Sequence, residues 1–348
     1  MDFLEEKSKE ILVRIEEAKT NIVSIIDEEK REEAETYLDE LQHYYDGIQY
    51  QIKDENREAA NEYMQVNYQI DDDFPRLFAW ATRAYGMGSS VEFALEHSDE
   101  LYGIAAGIDP DNDSIYYEWG TLLAHLAELK NDEEFFIRSF EKFGKAIQLF
   151  PQHFTAYAAW AKALGELARL KKDEELFELC FKKFNNALGL NPDSNSLYEW
   201  WGIALVDLGD LTNDEKYYKE AITKHKMATV IDPKSYTAFY NWGIALVKLA
   251  QLKDDKRLFE ESIDLFKQYI KRGGKLYTVA RACAGYGDKE TAFDFLDKTL
   301  ADNRFWLCFV YEEECWKQFW EDKDFKRILD KYDEGFAKER EELKRKLK

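Results

Sequence analysis

Residues 109–120 read DPDNDSIYYEWG, and two readings compete for them. Asp109, Asp111 and Asp113 alternate as the first ligands of a calcium-binding loop do. The other reading is a proline turn that opens a helix. The rest of the chain decides between them. Of its five prolines, Pro110, Pro151, Pro192 and Pro233 are spaced 41 residues apart, and only Pro75 falls outside the series. Trp119, Trp160, Trp201 and Trp242 follow these prolines at a fixed offset, as do Gly120, Ala161, Gly202 and Gly243, and Leu123, Leu164, Leu205 and Leu246. A period held without an insertion marks stacked repeats. The counterparts of DPDNDS are FPQHFT, NPDSNS and DPKSYT, of which two keep one acidic residue and one keeps none. The glycine that an EF-hand loop requires is also missing, its slot being held by Ser114. What persists is a proline followed four residues on by Ser114, Thr155, Ser196 or Thr237, which reads as a turn and a helix N-cap. The stretch therefore carries shape, and no metal is assigned to it.

Each unit reads as two helices. After Pro110, Tyr116, Trp119, Leu123 and Leu126 share one face at helical spacing, and Lys130-Asn131-Asp132 breaks the pattern. EEFFIRSFEKFGKAIQL follows, with Phe136, Ser139 or Phe140, Phe143, Ala146 and Ile147 recurring every three or four residues. The second unit places Phe177, Cys180, Phe181, Phe184 and Ala187 at the same offsets. Small residues at the Gly120 and Ser139 positions let the paired helices approach closely, and large rings fill the space between units.

Composition agrees. With 348 residues the chain is too long for one ordinary core, which leaves two domains or an elongated array. Only 5 prolines and 17 glycines favour long helices. A net charge of −22 argues against nucleic acid, which needs cations against its phosphates. That charge suits a solubilising surface or a basic partner. Lys344, Arg345, Lys346 and Lys348 form the only basic cluster and read as a solvated helix end. The four cysteines form no CxxC pair and read as buried thiols in a reducing compartment. The N-terminus is acidic and amphipathic, unlike a signal peptide, and no apolar run is long enough to span a bilayer. The expected location is the cytoplasm, or the nucleus in a host that has one, with no membrane partner.

At this point the units resemble the tetratricopeptide repeat superfamily, whose pattern is W-x2-L-G-x2-Y, A-x3-F and a closing proline. In the first unit these slots hold Tyr116, Trp119, Gly120, Leu123, Ser139, Phe143 and Pro151; in the third, Tyr198, Trp201, Gly202, Leu205, Ala221, His225 and Pro233. The fourth holds Phe239, Trp242, Gly243, Leu246, Ser262 and Phe266. Trp for Leu and Leu for Tyr are departures that alter packing. The units are longer than the family's usual length of about 34 residues, and the excess falls between the two halves of the pattern. Both helices are thus expected to gain roughly one turn around LKND, LKKD, LTND and LKDD. The resemblance covers about residues 75–300. It implies an all-α, right-handed α-α superhelix, with a diverged unit before Pro110 and a terminal unit that places Tyr277, Ala280, Ala292 and Leu296 after Gly273-Gly274. An irregular aromatic segment from residue 301 and a final helix from about Asp322 are expected to cover the exposed end.

Residues 1–72 differ. Leu4, Ile11, Ile15, Ala18, Ile22 and Ile25, then Ala34, Leu38, Leu41, Tyr45, Ile48 and Ile52, then Ala59, Tyr63, Val66 and Ile70 mark amphipathic helices. They form either a coiled-coil-like cap on the array or a homodimer contact. The expected domains are thus 1–72, 73–300 and 301–348.

Chemistry is sparse. No HExxH and no phosphate-cradling glycine loop occurs. Glu40-Leu-Gln-His43 matches half of a helical di-iron pattern without a second half and reads as a solvated face. His225 in the phenylalanine slot reads as a core or seam residue, and Cys308 and Cys315 as buried structural thiols. No catalytic residue and no cofactor is assigned, and the chain reads as a non-enzyme. The resemblance instead implies a concave groove lined by the first helix of each unit. Its positions carry over to Tyr117, Ala158, Glu199 and Tyr240, to Thr121, Lys162, Ile203 and Ile244, and to Ala124, Gly165, Val206 and Val247. This mostly apolar stripe lacks the Lys, Asn and Arg clamp by which some family members hold acidic chaperone tails. It fits a protein partner that offers a peptide or helix with apolar side chains, unless the chain's own N-terminal helices fill it. The leading expectation is a scaffold or adaptor; the alternative is a regulatory or chaperone-like subunit that acts through residues 1–72.

Overall fold

The computed structural model describes residues 2–22, 28–53, 55–63, 65–66 and 92–333. Pro75, the DDD stretch at 71–73, the first half of the diverged unit, Ile70 and the basic tail lie outside these residues. By its contacts the chain divides into two compact units, 1–190 and 191–348, and each is described by itself. Among the described residues every regular element is a helix.

In the first unit, α1 (Asp2–Ile22), α2 (Glu28–Ile52) and α3 (Asn56–Tyr63) precede α4 (Glu92–Ile108). Two hairpins follow: α5 (Asp113–Lys130) with α6 (Glu133–Leu149), and α7 (Phe154–Lys171) with α8 (Glu174–Leu190). One apolar cluster runs from Leu4, Ile11 and Ile15 through Leu41, Tyr44 and Tyr63 to Leu101, Ile115 and Leu126. The amphipathic spacing read from the sequence is thus spent inside the unit, against α4 and α5.

The second unit holds the hairpins α9 (Asn195–Thr212) with α10 (Glu215–Ile231) and α11 (Tyr236–Lys253) with α12 (Lys256–Lys271). A shorter pair follows, α13 (Leu276–Tyr286) with α14 (Lys289–Asp302). A 3-10 turn at Arg304–Trp306 leads to α15 (Leu307–Glu312), α16 (Glu314–Lys317) and α17 (Lys323–Asp333). The architecture is all-α, built of consecutive helix hairpins.

The short turn inside each hairpin has a local cause. Asn131, Lys172, Asn213 and Asp254 each end a helix at positive φ, between 50° and 55°, and donate their N–H to a carbonyl of the preceding helical turn. Asparagine and aspartate tolerate this left-handed conformation; Lys172 has no such excuse. The next residue is always aspartate. Asp132, Asp173, Asp214 and Asp255 cap the second helix by accepting from the N–H two residues on, at 2.9–3.0 Å. Two residues therefore stop one helix and start the next.

The turns between hairpins correct the sequence reading. Ser114, Thr155, Ser196 and Thr237 lie in the first turn of their helices; the caps are Asn112, His153, Ser194 and Ser235, two residues earlier. Pro110, Pro151 and Pro233 occupy the second position of β-turns that close from Asn112 to Asp109, His153 to Phe150 and Ser235 to Asp232. That position suits proline's fixed φ, and the chain re-enters helix as soon as the turn closes.

One polar clasp fixes the start of the first unit's hairpins. Asp99 on α4 accepts from the Trp119 indole at 2.5 Å and from Arg138 Nη2 at 2.9 and 2.7 Å. It thus joins α4, α5 and α6 through partly shielded groups. Asp99→Ala strands a guanidinium and an indole N–H together, and it should lower the stability of this unit by about 2 kcal/mol in urea unfolding.

Candidate functional site

The groove positions fall on the first helices of the hairpins, and in the first unit they are largely spoken for. Tyr117 is half-buried, its ring 4.9 Å from the His153 imidazole at the start of α7. Thr121 Oγ1 donates back to the Tyr117 carbonyl at 2.9 Å. Ala158 is buried. Lys162 is exposed, with its ammonium 3.6 Å from Glu128. His153 itself caps α7 through Nδ1, and Nε2 lies 3.4 Å from Asp113. Burial lowers its pKa against the pull of Asp113.

In the second unit Glu199 is buried and engaged. Ser235 Oγ and Thr237 Oγ1, at the start of α11, donate to its carboxylate at 2.8 and 2.7 Å. It ties α9 to α11. Val206 and Val247 are buried. Tyr240 is half-buried against Tyr269 at 5.1 Å and Phe266 at 5.9 Å, and Ile244 packs at the edge of the same core. Burial raises the Tyr240 hydroxyl above the usual phenol range, while Arg281 pulls it down. Ile203 stays open at 40% exposure, with Trp200 one turn away on α9 at 38%. The apolar part of the face in this unit is therefore Ile203 and Trp200 on α9, with Tyr240 and Ile244 half-shielded on α11. Trp200 escaped the sequence reading because the family register puts its position outside the groove.

Arg281 on α13 donates to Glu313 at 3.3 Å, and its charge acts on the Tyr240 hydroxyl. Glu313 accepts from Tyr277 at 2.8 Å, and Tyr277 accepts from the Trp316 indole at 3.3 Å. These polar groups satisfy one another.

A profile described as plant-specific mitochondrial import receptor subunit TOM20 matches residues 174–275, under a third of the chain. Solved structures of MamA resemble the chain distantly. MamA from Desulfovibrio magneticus RS-1 is 16% identical, covering 56% of this chain and 94% of that one, with a TM-score of 0.40. MamA of strain AMB-1 is 18% identical over 56% and 99%, with a TM-score of 0.42. No curated protein matches.

His43 Nδ1 is 2.8 Å from Glu62 on α3. Among the described residues no cluster of three or more His, Cys, Asp and Glu side chains has the geometry to hold a metal, and no helix is long and apolar enough to cross a membrane. Cys180 and Cys283 are buried as expected, but Cys308 and Cys315 are only partly so. The two lie on different helices, because the chain breaks at Glu313 between α15 and α16. Burial pushes the Cys283 thiol up to about 12 and that of Cys315 up to about 11, so neither is a thiolate at neutral pH.

A further pattern went unread. Lys142, Lys183 and Lys224 recur every 41 residues, and their ammoniums lie 3.6, 3.1 and 3.4 Å from the ring centroids of Trp119, Trp160 and Trp201. Each is a cation on an aromatic face. Their common spacing was the available signal.

Proposed function

We propose that the chain is a non-catalytic interaction scaffold or receptor that docks a protein partner's peptide or helix, presented by its apolar face, on the first helices of its hairpins. The observation that carries this reading is Ile203, a large aliphatic side chain left 40% exposed beside Trp200 on a helix otherwise packed on its neighbours. Burial of such side chains by a partner is the usual driving force for helix-in-groove recognition. The local match to an import-receptor family supports a receptor-like role. The net charge of −22 favours a basic partner.

Capture from the native host with the full chain as bait tests it. Ile203→Glu combined with Tyr117→Ala and Tyr240→Ala should lose the principal partner while circular dichroism stays unchanged. Unaltered capture overturns the assignment of this face.

A second reading places binding on α1, where Leu12 and Val13 are exposed at 44% and 57%. Removing residues 1–72 is a poor test, because these helices share a core with α4 and α5. Val13→Glu is the clean one: partner loss with this variant alone selects α1.

A further inference from the structure

His225 sits where the other hairpins carry Phe143, Phe184 and Phe266. Its side chain has no solvent exposure. Neither ring nitrogen has a hydrogen-bond partner. The ring is wedged against α9 so closely that a Cβ added to Gly202 would lie 2.4 Å from it. An imidazole without an acceptor for its N–H is already a costly occupant of such a site, and an imidazolium there has two donors and a charge with no counter-ion.

The charged groups of the surrounding helices give it no help. On α9, Glu199 is held by Ser235 and Thr237; Asp210 takes Tyr218 of α10 and Lys248 of α11. On α10, Lys224 rests on the Trp201 ring and Lys219 bonds Glu215, while Glu220 and Lys226 are exposed. No charge acts on the ring, and burial alone lowers its pKa to about 3.

We propose that His225 makes the α9–α10 hairpin acid-sensitive: proton uptake by its ring requires the two helices to part, so acidification opens this hairpin. The direction follows from linkage. The open state takes up the proton below about pH 6.5, whereas the closed state refuses it until about pH 3. The histidine's neutral form is thus fully compatible with folding above about pH 6.5, and each unit of acid below that favours opening about tenfold. Because α9 carries Ile203, opening also dismantles the docking face. That consequence rests on the function proposed above; the opening itself does not.

The test compares the full chain with His225→Phe in urea unfolding from pH 7.5 to pH 4, alongside hydrogen exchange of the α9 and α10 amides. The wild-type equilibrium should move toward unfolding about thirtyfold further than that of the variant between pH 7.5 and pH 5. The excess exchange should be confined to α9 and α10. Identical pH dependence in both proteins overturns the proposal. Should the phenylalanine variant fail to fold, the His225 ring is titrated by NMR in the wild type: a ring still neutral at pH 5 supports the proposal, and one that titrates near pH 6.5 in the folded chain sinks it. Failure of partner capture at neutral pH bears on the docking face alone.

Discussion

Gly243→Val should cost the second unit about 3 kcal/mol or more. A Cβ at this position would lie 2.5 Å from Phe266 Cε1, 2.9 Å from Cδ1 and 3.1 Å from Cζ. The obstacle is the ring of a fully buried side chain, which cannot swing aside, since it packs against Tyr240 and the core beneath α13. The same close approach recurs at Gly120 against Phe143, where the added carbon would lie 2.7 Å from the ring. Helix contact at one atom's thickness is thus a property of the hairpin design. Urea unfolding followed by tryptophan fluorescence reads the effect. Combining Gly243→Ala with Phe266→Leu should recover part of the loss that Gly243→Ala alone causes, because the smaller side chain returns space. If Gly243→Val unfolds at the wild-type midpoint, the two helices do not depend on this contact.

Trp316→Ala should be comparably damaging, at about 3–5 kcal/mol, but the damage should be local to the end of the chain. Trp316 is fully buried. It stacks on Phe325 at 5.7 Å and 12°, touches Phe319 at 6.4 Å and Tyr277 at 6.5 Å, and donates its indole N–H to Tyr277. It thereby connects α16 and α17 to α13 through one ring. Truncation leaves a cavity among aromatic neighbours that cannot collapse into it. It also frees Tyr277, and through it Glu313 and Arg281, from a continuous polar chain. Hydrogen exchange should show α13 and α14 losing protection first, with α9 and α10 little changed. Trp316→Phe should restore most of the packing and only lack the N–H. Uniform loss of protection across the unit would contradict this confinement.

The helices were legible because their signals are local and repeated. The segment EEFFIRSFEKFGKAIQL was read as one helix and is Glu133–Leu149. The terminal pair turns at Gly287-Asp288, where Gly287 takes φ of 94° and Asp288 caps α14. The caps were missed by two residues because good capping side chains stand at both positions, Asn112, Ser194 and Ser235 as well as Ser114, Ser196 and Thr237, so residue type alone does not choose between them. The candidate face was half legible. Family register found Ile203, but it also nominated Glu199, Val206 and Val247, whose fate depends on the neighbouring hairpin. Register says which side a residue faces and nothing about what stands opposite. The Asp99 clasp was invisible for the same reason: its partners Trp119 and Arg138 lie 20 and 39 residues away and belong to no shared motif.

The fastening of α9 to α11 by Glu199 has a mechanical side. At their starts, these helices are joined by hydroxyl groups that donate to a buried carboxylate. At their far ends, Asp210 meets Lys248 at 2.6 Å, and Glu215 at the head of α10 meets Lys253 at 2.8 Å, both in the open. Dissolved ions weaken exposed pairs and scarcely reach shielded ones. Brine would therefore slacken one extremity of this helix pair and leave the other taut, turning a symmetric brace into a one-sided hinge.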